Sequence, residues 1–194
     1  AAKIFENTFR QVNIALVNEF AQFSDALGIS SREVIGAAAT KPYGFMPFTP
    51  GPGVGGHCIP VDPLYLTWWA RQNGRRAEFV ETADSINHAM PKYVAERALE
   101  LVDSSVTKPR VLILGVAYKP GVGDVRETPV SQLRDFLKEQ GVDIAWHDPM
   151  VPVWDGSEPV QLDWECDVEI LATKQAGMDI ESLIARGVQI LDCT

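Results

Sequence analysis

The stretch Gly51–Pro63, GPGVGGHCIPVDP, sets a single cysteine, Cys58, behind four glycines and four residues ahead of Asp62. A thiolate is both a soft nucleophile and a good leaving group, so a cysteine in such a loop can carry covalent acyl chemistry. Glycines without side chains let the backbone close on a ligand, and a helix starting just after Cys58 would stabilise a thiolate at its N-terminus. Asp62 can face the same side. The same residues support plainer roles: Cys58 as a buried inert thiol, Asp62 before Pro63 as a helix N-cap. Gly51, Gly53 and Gly56 also spell G-x-G-x-x-G. A dinucleotide-binding turn needs a strand before it and a helix starting inside it. Here MPFTP precedes the glycines, and Pro60 and Pro63 fall where the helix should run.

The elements around this loop are helical. Phe5, Phe9, Val12, Leu16, Phe20 and Phe23 recur at three- and four-residue steps and predict a helix over 3–27, closed by Gly28. Ser30 and Glu33 form a capping box for a second helix through the alanines at 37–39. Residues 41–60 hold five prolines and five glycines, which no helix or central strand tolerates. Asp62 or Pro63 opens a helix that ends before Gly74. Residues 78–103 read as helical again, kinked or split at Pro91.

After Lys108-Pro109 the class changes. VLILGVAY (111–118) is an apolar run suited to a strand buried on both faces. A loop, an amphipathic helix over 129–140, strands at VDIAWHD and 168–173, a short helix over 179–186 and a last strand at VQILDCT follow. Alternating strands and helices imply a parallel sheet.

Of the 194 residues, 46% are hydrophobic and 22% charged, which supports a packed core. No run of 18 apolar residues spans a membrane. The net charge is −9, with no basic stripe, which argues against a nucleic-acid surface. Cys58, Cys166 and Cys193 are too few and scattered for a disulfide framework or a zinc site; no metal site is expected, and a reducing cytoplasm is the simple setting. The chain starts inside a helical pattern without Met and stops on a strand, as a piece of a longer chain would.

GPGVGGHCIPVDPLYL resembles the nucleophile segment of the UDP-glucose/GDP-mannose dehydrogenase family. KIFENTFRQVNIALVNE resembles that family's helix with a lysine and, four residues on, an asparagine; these are Lys3 and Asn7, which helical spacing puts on one face with Arg10. GVAYKPGVGDVRETP resembles its C-terminal loop, in which a lysine contacts the nucleotide sugar and an arginine reaches the cofactor; these are Lys119 and Arg126. The resemblance implies that the glycine loop, with Gly53, Gly55 and Gly56, lines the sugar-nucleotide pocket together with Tyr118 and Lys119. It implies a C6 alcohol oxidised to a carboxylate with two NAD+, through a thiohemiacetal and a thioester on Cys58. Lys3 and Asn7 would then face the oxyanion, Lys3 could act as acid or base if its pKa is depressed, and Asp62 could orient or activate the hydrolytic water. Outside the resemblance, Lys3 on a helix reads as a solvated charge, and Arg126 with Glu127 as a surface pair.

The implied architecture is α/β: an all-helical central dimerisation domain over 1–105, then a Rossmann-like UDP-sugar-binding domain over 106–194, with the family's N-terminal NAD domain absent. A homodimer through the helical part is expected, with Trp68, Trp69 and Tyr65 in the core or at that interface. In the UDP-glucose branch a lysine directly precedes the aspartate; here Val61 stands there. GGHCIPVDP is more similar to the branch acting on UDP-N-acetylglucosamine or UDP-N-acetylmannosamine. UDP-glucose as substrate, and a non-catalytic dimerisation or nucleotide-sugar-binding module of the same fold, are the alternatives.

Overall fold

The computed structural model describes residues 1–194, and they form two compact units, Ala1–Met90 and Pro91–Thr194. The first is built from α1 (Ala2–Leu27), α2 (Ser31–Ala39), α3 (Asp62–Gln72) and the first half of α4 (Glu78–Glu100). α1 ends at Gly28, whose φ of 68° lets Ile29 N–H reach back to the Ser24 carbonyl at 2.9 Å. Ser30 caps α2 through its side chain, which accepts from Glu33 N–H at 3.3 Å. Residues 41–61 form no helix or strand.

The stripe that predicts α1 is not the one the helix buries. Phe5, Leu16 and Phe23 are 75%, 59% and 58% exposed. The buried side is Asn7, Gln11, Ala15 and Asn18. The helix forms where its periodicity says, but within the chain it packs on polar partners. Trp68, Trp69 and Tyr65, expected in a core or an interface, are exposed on α3.

Pro91 does not split α4. The helix runs on to Glu100, with Val80, Ala83 and Met90 buried before the proline and Val94, Ala95 and Ala98 after it. Apolar burial on both sides outweighs the one backbone hydrogen bond a helical proline forfeits. The units divide at Met90–Pro91, and the last turns of α4 pack into the core of the second unit.

That unit is a four-stranded parallel sheet in the order β2-β1-β3-β4, with β1 at Arg110–Leu114, β2 at Asp143–His147, β3 at Val168–Leu171 and β4 at Gln189–Asp192. Alternate residues serve opposite faces. Val111, Ile113, Val168 and Ile170 pack with Leu133 and Leu137 of α5 (Val130–Glu139) and the end of α4. Leu112, Leu114 and Leu171 pack with Leu183 of α6 (Ile180–Ala185). β1 stops at Leu114, short of the expected residue 118, because Gly115 turns the chain at φ 79°. A Cβ there would lie 1.8 Å from the Thr173 carbonyl oxygen, so only glycine fits.

Candidate active site

Cys58 sits in a turn that leads straight into a helix. Its carbonyl accepts from Asp62 N–H at 2.8 Å, and Asp62 is the first residue of α3. The four-residue spacing read from the sequence is thus one helical-type turn that places Cys58 and Asp62 side by side. Pro63 suits this start, since the first turn of a helix needs no donor there. Ahead of the turn, Gly53 and Gly56 take φ of 132° and 88°, conformations that L side chains rarely adopt. Gly53 also lines a cavity of about 460 Å³ with Ile14, Pro47, Phe48, Thr49 and Gly51.

α1 brings Lys3 and Asn7 to the same place. Lys3 Nζ lies 2.8 Å from Asp62 Oδ2, and Asn7 Nδ2 donates to the same oxygen at 2.6 Å. The Asp62 side chain is only 13% exposed, whereas that of Lys3 is 65% exposed. Asp62 is therefore the half-buried hub, and its two donors come from one helix face. The hydrogen bond from Lys3 holds the Asp62 carboxyl below the usual carboxylate range, helped by Asn7. The lysine is pushed the opposite way: the hydrogen bond to Asp62 raises it first, and the Cys58 thiol second. The depressed pKa that would make Lys3 an acid–base catalyst is thus not found; an adjacent carboxylate stabilises the ammonium. Both partners stay ionised across the neutral range, so Lys3 stands beside Cys58 as a fixed positive charge. Asp62, held by two donors, is shaped as a positioning anion rather than as a proton acceptor. Cys58 itself is exposed.

Asn18 and Asn87, which the sequence reading does not single out, complete the loop's support. Asn18 Oδ1 accepts from Gly51 N–H at 2.9 Å, its Nδ2 donates to Asn87 Oδ1 at 2.9 Å, and Asn87 Nδ2 donates to the Gln11 carbonyl at 3.2 Å. Both amides are buried. Lys3, Asn7, Gln11 and Asn18 follow one face of α1, but nothing in the sequence joins Asn18 to Asn87.

Tyr118, Lys119 and Arg126 lie in the second unit, in the loop after β1. This loop leaves the carboxyl end of the sheet where β2 and β3 flank β1 on opposite sides, the place where open α/β sheets bind ligands. Tyr118 N–H donates to the Asp124 carbonyl at 3.1 Å, and Lys119 Nζ stands 5.5 Å over the Tyr118 ring. Buried Asp148 braces the loop start, accepting from Val116 N–H at 2.9 Å and Ala117 N–H at 3.2 Å. Gln175 binds Gly121 N–H and the Val122 carbonyl. Arg126 is exposed and forked onto Asp124 at 3.0 and 2.7 Å. It does not pair with Glu127, whose φ of 51° turns the chain instead. The Gly51–Gly56 segment is not a dinucleotide turn: no strand precedes it and α3 starts beyond it. Arg126, a permanently charged fork suited to a phosphate, is the candidate contact for a dinucleotide.

No group of three or more His, Cys, Asp or Glu side chains is arranged to hold a metal ion, and no helix is long and apolar enough to cross a membrane.

Comparison with known proteins gives the same division. The profile of the UDP-glucose/GDP-mannose dehydrogenase family, central domain, matches residues 1–89, and that of the same family's UDP binding domain matches residues 112–182. The chain is 38% identical over 148 residues to a UDP-N-acetyl-D-mannosamine dehydrogenase of Methanococcus vannielii, covering 76% of this chain and 34% of that protein. It is 39% identical over 158 residues to a UDP-N-acetyl-D-glucosamine 6-dehydrogenase of Pseudomonas aeruginosa, covering 80% of this chain and 37% of that protein. The solved UDP-D-ManNAc dehydrogenase of Pyrococcus horikoshii superposes with a TM-score of 0.84 at 32% identity, over 99% of this chain and 47% of that one. The chain thus spans about a third of the length of the curated relatives it matches.

Proposed function

Since the chain belongs to the UDP-glucose/GDP-mannose dehydrogenase family, we propose that it carries the nucleophile and the sugar-nucleotide contacts of an NAD-dependent UDP-N-acetylhexosamine 6-dehydrogenase. One observation carries this: Lys3 and Asn7 converge on Asp62 one turn from an exposed cysteine. Val61 ahead of Asp62, and relatives named for UDP-N-acetylmannosamine and UDP-N-acetylglucosamine, favour the N-acetylated sugars over UDP-glucose.

When bound, NAD+ would supply the hydride acceptor for both oxidations at C6, of the alcohol and then of the cysteine adduct. Cys58 Sγ adds to the C6 aldehyde, and the carbonyl electron pair moves onto oxygen. The Lys3 ammonium, fixed beside Sγ by Asp62, offsets that charge in the adduct and again when water attacks the thioester. One Nδ2 hydrogen of Asn7 is held by Asp62, which leaves the second to face the oxyanion. Water attack breaks the C6–S bond, releases the carboxylate and returns the thiolate. Asp62 keeps lysine and amide aimed throughout and orients the water. Tyr118 and Lys119 hold the nucleotide sugar, and Arg126 reaches the dinucleotide.

The test is NADH release by the protein in its full reading frame, with UDP-N-acetylglucosamine, UDP-N-acetylmannosamine, UDP-glucose and GDP-mannose. About two NADH per sugar are expected from an N-acetylated UDP-sugar, the stoichiometry of a four-electron oxidation through a covalent intermediate. UDP-glucose as the preferred substrate would overturn the sugar assignment, and no NADH from any sugar would leave a binding module.

The uncovered apolar face of α1 supports a homodimer through the helical unit. Phe5, Leu16, Phe23 and Leu27 are exposed along one helix, and isolated chains rarely leave such a run uncovered. Light scattering is expected to give twice the 21.3 kDa of one chain; a single-chain mass counts against the dimer.

A further inference from the structure

The loop that carries Cys58 is anchored to one helix at both ends. At its end, Asp62 is held by Lys3 and Asn7. At its start, Gly51 N–H is held by Asn18. Asn7 and Asn18 are eleven residues apart on α1, and so are Gly51 and Asp62 in the loop. On a helix that interval is about 16 Å, far shorter than the same number of residues extended. The loop is therefore folded back on itself between two fixed points, with Gly53 and Gly56 supplying its positive-φ turns.

Asn18 could not hold the start alone. An amide buried in a core must have its orientation set, or its acceptor and donor ends exchange. Asn87 of α4 sets it: Asn18 Nδ2 donates to Asn87 Oδ1, and Asn87 Nδ2 donates to the Gln11 carbonyl of α1. With Nδ2 committed, Oδ1 of Asn18 faces Gly51. Each amide shows one acceptor and one donor in use, and neither has a buried unpaired polar atom. A network satisfied in this way specifies one geometry.

We infer that the Asn18–Asn87 relay is a positioning device for the nucleophile, fixing the start of the glycine loop so that the Cys58 thiol meets the Lys3 ammonium. This rests on Cys58 being the nucleophile, and it adds two residues that touch neither substrate nor cofactor. Severing the relay frees the loop at Gly51 while leaving Asp62 anchored, so Sγ drifts from Lys3 without the site being dismantled.

The experiment uses the protein in its full reading frame with three variants: Asn18→Ala, Asn87→Ser and, as a packing control elsewhere in the same unit, Ile35→Ala. Displacement of a reacting atom by about 1 Å costs on the order of a hundredfold. Asn18→Ala is therefore expected to lower kcat by about a hundredfold with KM for the UDP-sugar within about threefold. Asn87→Ser keeps the bond to Gly51 but unlocks the amide, and is expected to cost about tenfold. Iodoacetamide labelling of Cys58 slows in both variants: the cysteine is already exposed, so loosening gains no access and loses the neighbouring ammonium. Exchange of the Gly51 amide hydrogen speeds up. Ile35→Ala lowers Tm and leaves kcat, labelling and Gly51 exchange at wild-type values. A purely structural relay would behave like that control, and kcat and labelling within about twofold of wild type in folded Asn18→Ala would overturn the inference. Should Asn18→Ala fail to fold, Asn87→Ser decides by the same criteria. If the wild type oxidises no sugar, the proposed function fails, and labelling and exchange still decide the relay.

Discussion

Replacing Cys58 with alanine is expected to abolish uronate formation, lowering steady-state turnover by about a thousandfold or more, while leaving the fold intact. The side chain is exposed and bears no packing load; the turn it belongs to is held by its carbonyl, which alanine retains. The loss should fall on one half of the reaction. Oxidation of the alcohol needs no thiol, so a single turnover should still yield up to about one NADH per sugar, with free aldehyde trapped by a hydrazine. The second oxidation needs the adduct and should vanish. Cys58→Ser should do little better, because a hydroxyl is far less ionised than a thiol and leaves an ester that water cleaves more slowly. The other cysteines cannot substitute. Burial pushes the Cys166 thiol up to about 11, and Cys193 lies against the core of the second unit. Two NADH per sugar at near wild-type rate from Cys58→Ala would rule out a covalent route through this residue.

The turn that carries Cys58 and Asp62 was legible in the sequence because its geometry is local. Cys58, Asp62, the glycines and the helix start are contiguous, and a four-residue spacing becomes one hydrogen-bonded turn. The strands were legible for the same reason: each is a short apolar run between helices, and all lie in one parallel sheet. Long-range polar partners were not. Asn18 and Asn87 are 69 positions apart, and nothing in an isolated asparagine says whether it faces water or another amide. The Phe stripe of α1 was expected against a partner, and its own chain leaves it exposed; periodicity reports that a helix has two faces but not what covers each. Pro91 does not divide the helix in two. A proline's local cost is a few kcal/mol, and the apolar residues on either side of it in α4 bury enough surface to exceed that.

The second unit has one site where a single substitution should be severe. Glu169 lies on β3 with no exposure at all, between Leu112 of β1 and Ile190 of β4. Burial pushes its carboxyl up, and the opposing Arg186 guanidinium brings it down. Arg186 Nη1 is 2.7 Å from Glu169 Oε1. The same guanidinium donates to the Leu162 and Trp164 carbonyls and ties that segment to the sheet. Glu169 Oε2 has no partner, and beside the arginine Oε1 receives only a weak bond from the Cys166 thiol at 3.9 Å. Removing one member of a buried pair costs about 3–5 kcal/mol, mostly for the stranded charge. Arg186→Leu should therefore lower Tm by about 15 °C in a unit of this size. The pH dependence follows from the sign. With Arg186 gone, the folded-state pKa of Glu169 rises further above its unfolded value. The folded variant then holds a proton that the unfolded chain releases, and stability falls as pH rises through the neutral range. Arg186→Leu should be more stable at pH 5 than at pH 8, with the difference abolished by adding Glu169→Gln. Pairing Arg186→Leu with Glu169→Leu should recover much of the loss, since apolar replacement of both partners removes the stranded charge. Two carbonyls still lose their donor, so recovery should be incomplete. Urea denaturation followed by tryptophan fluorescence measures all four proteins. An Arg186→Leu variant as stable as wild type would show that the pair carries no charge to strand, and one equally stable at both pH values would show that Glu169 binds no more protons in the folded variant than in the unfolded chain.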